Sequence, residues 1–263
     1  MTRFAFLLVL SLLLALSGCA RTIQSAFDSA GHQIGTAIGS SIGNAVTRNY
    51  TSKMKSWYAV YLIEMGFHAS GSYVIPANEK PYAEGDYTRW KVVQESGPDD
   101  SWMERLYLGK DDDGHDWWQV RFYDGASMDT VIVQGLYSED NELVRLRTQF
   151  PKDARPTEVS VDGRQMQRPE SLSEQAMALA DRGQRVEEVA AGSFLIREFV
   201  HEGDNQDEQT WWLSNEVPGE IVRYAYSGPP KSQPRGSRDI DASNYVLELQ
   251  RYGGGERSAL GSW

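Results

Sequence analysis

The sequence predicts a mainly β (α+β) protein: a curved antiparallel sheet or half-barrel of about ten strands with covering helices. Three observations predict it. Short segments alternate apolar and polar residues, as Tyr87-Thr88-Arg89-Trp90-Lys91-Val92-Val93 does. Turn residues separate them at spacings of about ten residues: Gly97-Pro98-Asp99, Asp113-Gly114, Asp124-Gly125 and Asp140-Asn141. Only two stretches in the same region carry helical periodicity.

The first helical stretch places Met54, Trp57, Tyr58, Tyr61, Leu62 and Met65 on one face, and Gly66 reads as its stop. Its aromatic, Met-rich stripe suits packing on a sheet, or a lid over an apolar cavity. Strands are then expected at Tyr87–Val93, Trp102–Leu108, Trp117–Tyr123, Thr130–Tyr137 and Leu143–Phe150. A second helix follows Pro169, with Ser171 and Glu174 as a capping box and Gly183 as its end. Strands resume at Val186–Val189, Phe194–His201, Gln209–Ser214, Ile221–Tyr226 and Tyr245–Tyr252. Ser227–Ser243 reads as a long flap. Two β halves, 50–165 and 166–252, are suggested by the paired motifs Trp117-Trp118 and Trp211-Trp212. Residues 253–263 read as a flexible tail.

Neighbouring strand residues point to opposite faces. Each Trp pair therefore puts a large aromatic on both faces of its strand. A sheet with one wet face does not need that. Either core packing uses both faces, or one face lines an apolar site. Trp90, Trp117, Trp118, Trp211, Trp212 and Tyr226 are the candidate lining, with Trp57, Tyr58, Tyr61, Leu62 and Met65 as a lid.

The chain has 263 residues, a net charge of −11 and one cysteine. Acidity argues against nucleic acid, which calls for clustered Lys and Arg. One cysteine excludes an intramolecular disulfide and a Cys-based zinc cluster. That cysteine ends the run Phe4–Leu16, Ser17, Gly18, Cys19, which follows the positive Arg3. The apolar run spans about 20 Å, too short for a bilayer of about 30 Å, and reads as a signal peptide over 1–18. Leu16-Ser17-Gly18-Cys19 resembles the bacterial lipobox. That resemblance implies cleavage before Cys19, acyl chains on it, and a membrane partner. Ala20 at the next position implies the outer membrane, facing the periplasm.

Within the anchor segment 19–49, Gly31, Gly35, Gly39 and Gly43 recur every four residues, with Ile34, Ile38 and Ile42 between them. This resembles a glycine zipper. Two readings stay open: a helix that self-associates or lies on the membrane, and a small-residue tether.

A lipid-anchored chain of this strand pattern resembles the half-barrel of the LolA/LolB lipoprotein-carrier family over about Tyr50–Tyr252. Trp211–Val222, with its Val217-Pro218-Gly219 turn, is the motif carrying the likeness. The lipobox, the two-faced Trp pairs and the lid-like helix point to a non-enzymatic binding or carrier module for lipid or another apolar molecule, with no cofactor expected. The alternative is an assembly lipoprotein whose sheet binds protein. No histidine sits in an HExxH motif. Asp111–Asp116 lacks the acids that an EF-hand needs at Gly109 and Val120, and reads as an acidic hairpin turn.

Overall fold

The computed structural model describes residues 59–60, 62–63, 66, 73–74, 80–94, 100–140, 142–161, 170–203, 207–227 and 244–262. Cys19, Gly31, Gly35, Gly39, Gly43, Trp57, Tyr58, Tyr61, Met65 and residues 228–243 of the flap lie outside the described residues, while Ser227 ends a strand.

An antiparallel sheet of eleven strands forms the body. One meander runs through β2 (Tyr87–Gln94), β3 (Trp102–Lys110), β4 (Asp116–Asp124), β5 (Asp129–Tyr137), β6 (Leu143–Gln149) and β7 (Thr157–Val159). A second runs through β9 (Asp181–Val189), β10 (Gly192–Glu202), β11 (Glu208–Leu213), β12 (Ile221–Ser227) and β13 (Asn244–Gly253). The first strand of one pairs with the last strand of the other, β2 with β13, and so joins them into one sheet. Two short strands, β1 (Tyr73–Val74) and β8 (Glu170–Ser171), form a separate parallel pair. The order leaves β7 and β9 at the edges, so the sheet is open. The second meander nevertheless curls until Ala191 N donates to Leu249 O at 3.3 Å.

All ten expected strands form, because alternation and turn residues agree locally. Helical cover is much smaller than expected. Among the described residues it is α1 (Glu174–Ala180) and the helical positions 59, 60, 62, 63 and 66. α1 starts two residues later than Ser171 predicts. Ser173 is its N-cap, its hydroxyl accepting from Ala176 N at 3.2 Å, while Ser171 pairs with Val74 in β8. It also ends before Gly183, which adopts φ +91° inside β9 opposite Glu198, where the register of β9 and β10 shifts. Gly66 does not stop its helix by a left-handed turn. It stays helical and lies so close to β4 that a Cβ there would stand 2.5 Å from a Val120 methyl. Leu62, expected on a lid, is buried in the core with Ala59, Val60 and Ile63.

Register assigns the faces. Trp90, Met103, Phe122 and Val131 are cross-strand partners in turn, as are Trp90, Leu249 and, two residues along β13, Leu247 with Tyr224 and Trp211. These residues define the inner face, where the apolar core sits. Among the described residues, no helix is long and apolar enough to cross a membrane.

Candidate functional site

The six candidate lining residues divide between the faces. Trp90, Trp118, Trp211 and Tyr226 are inner; Trp117 and Trp212 are outer. They therefore do not line one site. Trp90 and Trp211 are core, 1% and 4% exposed, and Trp90 Nε1 donates to Ile221 O at 2.9 Å. Trp118 is half-buried, 4.7 Å from the Tyr107 ring and 5.1 Å from Tyr82 at an edge-on 79°. Between these aromatics lies buried Arg105, 4.9 Å from Tyr82, 5.3 Å from Trp90 and 5.9 Å from Trp118. Its Nε donates to Tyr82 Oη at 3.0 Å, and Tyr82 Oη also bonds Thr88 Oγ1.

The Val217-Pro218-Gly219 turn closes over this cage. Glu220 N donates to Val217 O at 2.9 Å, with Gly219 at φ +69°, as a type II turn requires. A Cβ at Gly219 would stand 2.3 Å from Tyr82 and 2.8 Å from Arg105. Glu220 itself holds φ +66°, secured by its Oε1 accepting from Lys80 N at 2.9 Å. The motif is thus a clasp between β11–β12 and Lys80–Tyr82.

At the other end of the inner face, Tyr226 packs 5.7 Å from Tyr245, and Tyr224 Oη donates to Gln209 Oε1 at 3.2 Å. Asp207 Oδ2 and Gln209 Nε2 are buried there without a partner. Burial, then the Asp207 charge, pushes the Tyr226 phenol from 10.0 up to about 12. Burial, then Tyr245, holds Tyr224 well above the ordinary phenol value. The unfolded chain ionises these phenols first. The Tyr226 contribution to stability is therefore full below pH 10 and lost as pH rises from 10 through about 12, and that of Tyr224 falls in the same direction. Thermal melts between pH 9 and 12 should show that fall, and Tyr226→Phe should flatten it.

The outer face is rich in arginines, and they explain the second Trp of each pair. Arginines roof its aromatics: Arg89 over Trp102 at 3.9 Å, Arg223 over Trp212 at 5.3 Å and Arg147 over Trp117 at 5.6 Å. Such cation–π contacts suit an indole on a wet face. One row crosses eight strands in register: Glu198, Trp212, Arg223, Glu248, Lys91, Trp102, Tyr123 and Thr130. Arg223 also reaches Glu187 at 3.1 Å, and Glu187 reaches Arg185 at 2.9 Å. In the adjacent row, buried Glu104 takes Arg89 at 2.6 Å and Arg121 at 3.1 Å.

A third outer strip carries a ladder of buried polar groups. Arg147 Nε donates to Gln134 Oε1, and Gln134 Nε2 donates to Gln119 Oε1, both at 2.7 Å. The ladder binds the C-terminal segment, so residues 258–262 are held rather than frayed. The run Gly253-Gly254-Gly255 predicts a free tail from there onward. Hydrogen bonds to the ladder hold it instead, and they join residues more than a hundred positions apart in sequence. The sequence signal that could have marked the ladder is Gln119, Gln134 and Arg147 falling at alternate, outward strand positions.

The acidic hairpin turn is closed by Asp111, whose Oδ1 accepts from Asp113 N at 3.0 Å and His115 N at 2.8 Å. Its Oδ2 meets His115 Nδ1 at 3.1 Å. Burial alone would raise the Asp111 carboxyl, but the hydrogen bonds from His115 bring it below the usual value. Asp111, Asp113 and His115 offer ligand atoms within 4.8 Å of one another, yet Asp111 is committed to the turn.

No protein-family model matches the chain, and no curated protein matches it. Among solved structures, it is similar to one described as a putative lipoprotein from Parabacteroides distasonis ATCC 8503, at 9% identity and a TM-score of 0.31. The match covers 66% of this chain and 97% of that one. At that TM-score and identity, the likeness assigns neither a fold family nor a function.

Proposed function

We propose that the chain is a lipoprotein of the bacterial outer membrane, anchored through Cys19, facing the periplasm and working as a non-enzymatic binding module. Leu16-Ser17-Gly18-Cys19 after the apolar run supports the anchor. The observation that carries the binding role is the outer row of aromatics under arginines. Trp, Tyr and Arg are the residue types that concentrate binding energy at protein interfaces. The favoured reading is therefore an assembly lipoprotein whose outer face docks an envelope protein, with Gly31–Gly43 adding self-association or membrane contact.

A second reading has a specific observation behind it. Buried, unpartnered Asp207 Oδ2 and Gln209 Nε2 beside half-buried Tyr226 suit the polar headgroup of an amphipathic ligand, which favours a lipid carrier on the inner face.

One preparation tests both readings. The full chain is extracted in mild detergent and weighed by native mass spectrometry. The favoured reading expects acyl mass on Cys19 and a partner protein that Arg223→Ala removes. A non-covalent lipid adduct lost in Tyr226→Ala supports the carrier instead. An unacylated chain refutes the anchor.

A further inference from the structure

The outer strip of β4, β5 and β6 reads peptide backbone. Arg147 Nη2 donates to Gly261 O at 2.6 Å and Nη1 to Ser262 O at 2.7 Å. Gln119 Oε1 accepts from Ala259 N at 2.8 Å. Gln134 Nε2 donates to Ser258 Oγ at 2.7 Å. The receptor groups are buried, Gln119 and Gln134 at 0% exposure and Arg147 at 8%. The bound segment is the opposite: Ala259, Gly261 and Ser262 are exposed. Among its described residues the segment adds no strand, and its apolar side chain Leu260 is half-buried. Three of the four contacts are to main-chain atoms. Selection comes from Ser258 and from Gly261, whose φ of +76° favours glycine.

The segment leaves β13 through Gly253-Gly254-Gly255, with Gly255 at φ +82°. Between hinge and ladder, Glu256 N donates to Gly85 O at 3.1 Å. A glycine hinge followed by a hydrogen-bonded, exposed segment is the arrangement that exchanges between copies at low cost, because each bond lost in one chain is remade in the other. We propose that the outer strip of β4–β6 is a receptor for the C-terminal segment of a second copy of this chain, with the segment's own site as the resting occupant. A short tether gives the resident segment a high effective concentration, so exchange shows when the resident is absent. The inference adds a partner to the proposed outer-face docking but uses a different strip, free of Trp212 and Arg223.

Complementation tests it. One full-length chain carries Arg147→Ala, which breaks its receptor and frees its segment, together with Ala259→benzoylphenylalanine as a photo-cross-linker. The other, isotope-labelled, ends at Arg257 and has a vacant receptor. Irradiating the mixture in detergent should join position 259 of the first chain to β4 or β5 of the labelled chain. Adding Arg147→Ala to the labelled chain should abolish that product. Both chains folded, by far-ultraviolet circular dichroism, with no such cross-link overturns the proposal. If the shortened chain does not fold, full-length Gly261→Pro replaces it, since proline cannot adopt φ +76°. The expected and overturning results are unchanged. Cross-links along Gly31–Gly43 would report the glycine stripe and not this receptor, and the outer-row reading stands or falls separately on Arg223.

Discussion

Replacing Trp90 with alanine is expected to cost about 3–5 kcal/mol of stability, the range for deleting a large aromatic from a core. Trp90 is 1% exposed and lies between Met103 of β3 and Leu249 of β13. It therefore sits at the β2–β13 seam, the pairing that joins the two meanders. Its Nε1 ties that seam to β12 through Ile221 O. Alanine would lose the ring's contacts with the core and leave the Ile221 carbonyl without this donor. Arg105 would also lose one of the three rings around it. Guanidinium unfolding followed by circular dichroism measures the loss. Trp90→Phe, which keeps most of the volume, should lose distinctly less. A loss under about 1 kcal/mol for alanine would mean that the seam does not depend on this residue.

Glu104→Gln is expected to cost about 3 kcal/mol, the lower end of the range for breaking a buried ion pair from one side. Glu104 is 3% exposed and takes Arg89 on one oxygen and Arg121 on the other. Glutamine would leave two guanidinium groups facing each other across it. Their side chains keep 16% and 21% exposure, so water offsets part of the repulsion. The triple change Arg89→Met, Glu104→Leu, Arg121→Met should recover most of the loss, because it removes the charges together. The same denaturation measurement applies. A triple variant as unstable as Glu104→Gln would place the stabilisation in the Arg89–Trp102 stack, 3.9 Å apart, instead of the ion pairs.

The Trp pairs show how far sequence reasoning reaches. That Trp117 and Trp118 face opposite ways follows from the two-residue period of a strand, and the register agrees. What lies over each ring does not follow, because it depends on residues from other strands. Trp118 meets Tyr82 and Tyr107, whereas Trp117 lies under Arg147, thirty positions away. Of the inner-face aromatics, Trp90 and Trp211 are core, and Trp118 and Tyr226 stay half-buried. The outer ones invite an apolar site or a helical cover because an arginine roof has no local sequence signature. The helix limits show the same boundary on a small scale. Ser171 and Ser173 both offer a hydroxyl before Glu174, and pairing of Ser171 with β1 leaves the cap to Ser173.

By itself, the sequence determines the ten principal strands and their order along the chain. Alternation and turn chemistry act within a few residues, so they can be read without the fold. Leu16-Ser17-Gly18-Cys19, on which the proposed anchor rests, is likewise a linear pattern. Tertiary structure alone decides that β2 meets β13, that Arg105 sits inside an aromatic cage, and that residues 258–262 are held by Gln119, Gln134 and Arg147. Each of these joins groups far apart in sequence. A buried polar group must find its partner wherever the chain brings one, and only the folded sheet sets which partners come within reach.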